Sequence, residues 1–230
     1  MSNTAISLGD VRQDLLQAHE QAVVALSRPG TWWTGEQRRE LALTAQLAIN
    51  EIEPVVPWIG VSTVANKLPA NLTASKVAHD AIYRISRHAA TLTREWYEKV
   101  VAEINPLAFV ELCGIACTVA PVMAFRRVLG LPVLEITRAK SGEPSQTKPA
   151  NIVAAQLNWV PVVGPADKEA AVVQAFTAVP ETNRVIWAMA DAQYLPDKEM
   201  IDPNWTRGTL SRVQIELVAT RVSQQRDCFY

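Results

Sequence analysis

Glu216 and Cys228 stand twelve positions apart near the end of the chain, within LSRVQIELVATRVSQQRDCFY (210–230). A carboxylate and a thiol are the pair that thiol redox chemistry needs. The carboxylate accepts the thiol proton, and the thiolate is the nucleophile. On one straight helix the two would lie about 18 Å apart along the axis, too far to share a proton. The chain must therefore turn at 224–227 for them to meet, and Gln224-Gln225-Arg226-Asp227 breaks the apolar pattern at that place. Asp227 ahead of a new segment reads as a helix N-cap, which would put Cys228 in the first turn of a second helix. Unpaired backbone N–H groups and the helix dipole favour a thiolate there.

The other groups able to do chemistry carry less. Cys113 and Cys117 are four apart on an apolar segment, poorly aimed for a mutual disulfide, and Glu111 is the nearby acidic residue. Small buried hydrophobes explain them best. His19 is flanked by Gln and Glu, as a solvated surface histidine would be. His79 and His88 share one helical segment; packing or surface positions suit them, although His79 could line a site of its own.

The elements that must hold these groups are helices. In 210–222, Leu210, Val213, Leu217, Val218 and Val222 recur at helical spacing, with Arg212, Glu216, Thr220 and Ser223 on a narrower polar stripe. Upstream, 8–27 has helical apolar spacing and stops at Pro29-Gly30. Thr34 with Gln37 forms a capping-box pattern ahead of 35–53. Helical patterns continue over 72–92 and 91–103. Asn105-Pro106 then opens a segment apolar nearly all round, expected to be buried, kinked at Pro121 and closed by Gly130 and Pro132. Residues 134–166 are rich in Pro and polar residues and read as an irregular connector, pinned to the core by Trp159-Val160-Pro161. Helical patterns resume at Asp167.

Composition sets the class. The 230 residues are 49% hydrophobic and 20% charged, with a net charge of −1, which suits a globular chain and gives no reason for a nucleic-acid or acidic-membrane partner. No unbroken apolar run reaches eighteen residues and the start lacks a secretory pattern, so no membrane partner is expected. Three cysteines make no disulfide scaffold, and a reducing cytoplasm is the expected compartment.

The terminal segment resembles the signature of the alkyl hydroperoxidase D and carboxymuconolactone decarboxylase-like family: a Glu, eleven residues, Cys-x-x-Cys, and a His about four further on. Glu216 and Cys228 have that spacing, and IELVATRVS and CFY resemble the flanking words. AFRRVLGLP (124–132) is similar to the close of the family's long helix. The second Cys and the His would follow Tyr230. The resemblance implies an all-α, alkyl hydroperoxidase D-like helical bundle of two pseudo-repeated units, the second incomplete. Trp33-Thr34 and Arg39 to Ala42 loosely echo Trp205-Thr206 and Ile215 to Val218; twelve on from Glu40 stands Ile52 in place of a cysteine. The expected divisions are 1–133 as a first unit without the cysteine motif, 134–166 as connector, and 167–230 as a second unit that stops inside the motif.

What the resemblance implies about activity is a thiol-dependent peroxidase with no cofactor and no metal. It would act on a peroxide or other small molecule with a thiol or dithiol electron donor, in a homo-oligomer. Its site residues here are Glu216 as proton acceptor and Cys228 as the resolving thiol, while the residue after Tyr230 attacks peroxide. A truncation or a selenocysteine codon read as stop would each account for the motif's missing half. The chain as it stands is expected to be inactive or very weak. A non-catalytic helical assembly or binding protein with degenerate sites is the alternative.

Overall fold

The computed structural model describes residues 6–51, 67–165, 169–225 and 227–228. The first helix, α1 (Gln13–Leu26), buries His19, Ala22, Val23 and Leu26. Those positions follow i, i+3, i+4 and i+7, the core stripe of an amphipathic helix. The surface reading of His19 is thus corrected: it is 1% exposed, and its ring stands edge-on to Phe125 at 5.1 Å between centroids. Its polar sequence neighbours occupy the other faces of the turn.

The helix α2 (Gly35–Asn50) begins at the capping box that Thr34 and Gln37 predict. Thr34 Oγ1 accepts from the Gln37 amide at 3.2 Å, and the Thr34 amide donates to Gln37 Oε1 at 3.0 Å. Its inner face is Leu41, Ala42, Ala45 and Ala48, all fully buried. Small side chains let α3 (Lys76–His88) and α5 (Pro106–Val128) come close on that side. Between those two lies α4 (Arg94–Ile104), which contributes Tyr97, Val100 and Ile104.

Down the middle runs α5. Asn105, with φ +72°, caps it by accepting the Leu107 amide at 2.8 Å, and Pro106 occupies the first turn, as predicted. The helix continues through Pro121 as one element and stops at Gly130, where φ is +66° and the Leu131 amide reaches back to the Arg126 carbonyl at 2.8 Å. This is a Schellman ending, which needs a left-handed residue. By length and composition α5 could cross a membrane, although Glu111 divides its apolar run; 72% of its apolar window is buried within the protein.

Residues 131–165 form the connector, with a short antiparallel ribbon of β1 (Ile152–Ala154) and β2 (Pro161–Val163), which the irregular reading did not include; Ile152 stands opposite Val163. The Trp159 ring lies 6.0 Å from Tyr97 and under the Arg94 guanidinium, and Val162 is fully buried. Upstream, the connector follows the turn between α1 and α2. Lys140, Ser145 and Gln146 amides donate to the Ser27, Gly30 and Thr31 carbonyls at 2.7, 3.1 and 2.8 Å.

After the single turn α6 (Ala171–Gln174), α7 (Pro180–Gln193) packs across α1 and α5. Gly114 permits this approach, since a Cβ there would lie 2.1 Å from Thr182 Cγ2. Met189 of α7 joins the same buried cluster as Leu41, Ile82, Leu112 and Ile115, so α7 shares one core with α1 to α5. The last helix, α8 (Arg212–Gln225), buries only Ile215. The described residues thus make an all-α fold, eight helices with one two-stranded ribbon.

Candidate active site

Glu216 sits in the first half of α8 on its polar stripe, of which Arg212, Glu216 and Ser223 are partly covered and Thr220 is exposed. Tyr194 donates its phenol to Glu216 Oε2 at 2.6 Å, and Arg212 Nε donates to Oε1 at 2.6 Å. The same guanidinium reaches the carbonyls of Met200 and Asp202 at 3.0 Å and of Glu199 at 3.3 Å, so it fastens 199–202 to α8. Arg207 does likewise for the end of α7, donating to the carbonyls of Asp191 and Tyr194 at 2.7 and 3.0 Å. The Tyr194 bond, reinforced by Arg212, holds the Glu216 carboxyl below the usual carboxylate range. Burial and the same bond push the Tyr194 phenol up to about 12. Glu216 is therefore an ionised carboxylate with a neutral phenol beside it.

Arg212 was legible as an i,i+4 partner of Glu216. Tyr194 was not. It lies just past the end of α7 and meets α8 through its phenol, with its carbonyl held by Arg207.

Cys228 is exposed, beyond the C-terminal end of α8. Its amide donates to the Ser223 carbonyl at 2.9 Å, and Asp227 has φ +50°. This is the hydrogen bond that closed α5, a Schellman ending with Asp in the left-handed position. The N-cap reading of Asp227 is corrected, because an N-capping residue has extended backbone geometry. Cys228 therefore lies at the carbonyl end of α8, the negative pole of its dipole, and its own amide is used by the cap. From Glu216 to the end of α8 the axis rises about 13 Å. The structure thus places the two residues at opposite ends of about two and a half turns. Phe229 and Tyr230 lie outside the described residues.

The earlier counterpart, Glu40, has a different environment. Its carboxylate accepts the Thr73 and Ala74 amides at 2.9 and 3.0 Å, at the start of α3. His79, fully buried, puts Nε2 3.7 Å from Glu40 and shares a 2.8 Å hydrogen bond between Nδ1 and Thr44 Oγ1. The helices α2 and α3 thus bring together Glu40, Thr44 and His79, which the sequence reading left apart. Burial pulls the His79 imidazole below its ordinary range, against the opposing pull of Glu40. Ile52, the residue twelve on from Glu40, lies outside the described residues.

Cys113 is half-buried and packs against the main core cluster, whereas Cys117 is exposed on the outer side of α5, which corrects the reading of Cys117 as a buried hydrophobe. Glu111, two residues before Cys113, points the other way and is 1% exposed. It accepts the Thr31 and Trp32 amides at 3.0 and 2.6 Å and pairs with Arg38 at 3.0 Å. Among the described residues no group of three His, Cys, Asp or Glu is placed to hold a metal ion.

Comparison with known family models, curated proteins and solved structures gave no match.

Proposed function

We propose that this chain is a thiol-dependent oxidoreductase of the alkyl hydroperoxidase D type, with Glu216 and Cys228 as its site residues. The observation that carries the reading is the anchored carboxylate. Glu216 stands twelve residues before Cys228 and is held ionised by Tyr194 and Arg212. In the proposed reaction a thiolate or selenolate three residues after Cys228 attacks the O–O bond of a hydroperoxide, leaving an alcohol and a sulfenic or selenenic acid. The Cys228 thiolate then attacks that chalcogen, expels water and forms the disulfide or selenylsulfide. A dithiol donor reduces this bond and restores both groups. For Glu216 to accept the proton shed when the chalcogenolate forms, the chain after Cys228 has to fold back along α8 toward it; the Tyr194 phenol stabilises the carboxylate between turnovers.

The 230 residues carry one of the two chalcogens, so their own turnover is expected to be close to background. The test is peroxide consumption with a dithiol reductant, on this chain and on a form with a cysteine placed directly after Tyr230 and a histidine four residues beyond. Activity confined to the extended form, and lost with Glu216→Gln, supports the reading. Substantial turnover by the 230-residue chain that Cys228→Ser abolishes would overturn the assignment of Cys228 as the resolving thiol.

A second reading, a non-catalytic helical assembly or binding protein, is favoured by one observation. Val213, Leu217, Val218 and Val222 are all more than half exposed on α8. Peroxide consumption by neither form would select it.

A further inference from the structure

Tyr194 is gripped at both ends. Its phenol donates to Glu216 at 2.6 Å, and its carbonyl accepts Arg207 Nε at 3.0 Å. The residue follows the end of α7, where the last helix carbonyls lack intrahelical partners. Two guanidinium groups take three carbonyls there. Arg207 spans Asp191 and Tyr194, with Nη2 2.7 Å from the Asp191 oxygen, and Arg12 reaches Ala192 at 3.1 Å. A planar fork on two carbonyls at once fixes direction as well as distance.

Arg207 is itself held. Its amide and carbonyl pair with those of Leu210 at 3.0 Å each way, in a tight turn where Gly208 has φ +59°, and α8 starts just beyond at Arg212. The guanidinium carbon lies 4.8 Å from the centre of the Trp205 ring, within the range of a cation–π contact. The circuit is closed. The 207–210 turn carries the guanidinium to Tyr194, Tyr194 carries its phenol to Glu216, and α8 leads from Glu216 back to the turn.

What the fork controls is the aim of the phenol. An O–H···O bond of 2.6 Å is at the short end of its range, and a small turn of the tyrosine main chain weakens it. Arg212 acts otherwise, bonding the carboxylate directly and adding its charge. The charges that face Arg207 are Arg12, Asp14 and Asp191, whereas Arg212 faces Glu216. The two sets are separate, so a change at Arg207 reaches Glu216 by way of Tyr194. We propose that Arg207, seated on Trp205, is a positioning residue of this site: it fixes the Tyr194 main chain so that the phenol meets Glu216. Its meaning for peroxide chemistry rests on the function proposed above; the positioning itself does not.

The titration of Glu216 in the 230-residue chain, followed by carboxyl-carbon NMR without peroxide, tests it. Tyr194→Phe sets the scale by raising the Glu216 midpoint toward its ordinary value. Arg207→Ala is expected to give most of that rise with unchanged helical circular dichroism, and to add nothing in the Tyr194→Phe background. Arg207→Lys, which keeps the charge and loses the fork, should recover little of the lost hold. Trp205→Leu, which removes the ring and leaves the guanidinium, should move the midpoint the same way and serves as the deciding variant if Arg207→Ala does not fold. An unmoved midpoint in the folded variant, a rise that persists undiminished alongside Tyr194→Phe, or full recovery by lysine would each overturn the proposal. Absence of peroxide turnover in the extended form counts against the proposed function alone, because this titration needs no substrate.

Discussion

Glu111 and Arg38 are neighbours in a region where neither could stay charged alone. Burial pushes the Glu111 carboxyl up, opposed first by Arg38 and then by the Trp32 and Thr31 amides. Removing one member leaves the other charge buried without compensation, so Glu111→Ala is expected to cost about 3–5 kcal/mol. Denaturant unfolding should show a lower midpoint at an unchanged slope. Gly30 belongs to the same cluster, since a Cβ there would sit 1.8 Å from Glu111 Oε1 and 2.1 Å from Arg38 Nη1. The buried histidines predict a pH dependence. Burial, and for His19 also the nearby Arg126, holds His19 and His79 below the ordinary imidazole value of 6.5; Glu40 opposes this at His79. Below that value the unfolded chain takes up protons that the folded chain resists, so stability falls as pH drops through about 6.5. His19→Leu should flatten the fall in melting temperature between pH 7 and pH 5; an unchanged slope would remove His19 from the account. In the extended form carrying the second cysteine, Tyr194→Phe should release the Glu216 carboxyl toward its ordinary range. The acid limb of the rate profile would then move to higher pH. Of the candidate site, the sequence offered Glu216 and Cys228 with their spacing, and the structure sets them at opposite ends of α8. The partners Tyr194, Arg38 and His79 were not assigned because tertiary packing, and no local spacing, brings each to its carboxylate.

At the scale of the element, helix ends were read well where a single local rule decides them. Thr34-Gln37, Asn105-Pro106 and Gly130 all act as their types predict. Thr34→Ala should therefore cost about 1 kcal/mol, seen as a drop in thermal midpoint. The end of α8 was misread because Asp serves two rules. It is a favoured N-cap, and with Asn it is among the residues that tolerate the left-handed region. The Ser223 to Cys228 bond selects the second. Asp227→Gly should then strengthen the cap by about 0.5–1 kcal/mol, measurable as slower exchange of the Cys228 amide; faster exchange would contradict the Schellman ending. Periodicity also has a limit of principle. It told which residues of α8 share a face, but not that the polar face would turn inward, because Tyr194 and the carbonyls of 199–202 were invisible to it.

For the whole molecule, the all-α class was legible from helical spacing and caps, whereas the sharing of one core by α1, α2, α3, α5 and α7 was not. Gly114 against Thr182 and the alanines of α2 make the close helix contacts possible, and no spacing rule announces which helix will use them. The connector was read as irregular because the order of its upstream half comes from partners elsewhere and its ribbon is only three residues per strand. It is fastened along residues 27–31 by three backbone hydrogen bonds and by Ser27 to Thr137. Native-state hydrogen exchange should accordingly show Lys140, Ser145 and Gln146 protected, while Ser141 and Gly142 exchange quickly; uniform fast exchange across 138–146 would contradict the fastening. That fastening also has a direction in time. Thr31 leaves the ribosome 115 residues ahead of Gln146, the residue whose amide secures its carbonyl. At about 5–20 residues per second the delay is roughly 6–23 s. During synthesis the turn between α1 and α2 must wait that long, half-secured, for a strand of chain that has not yet been made.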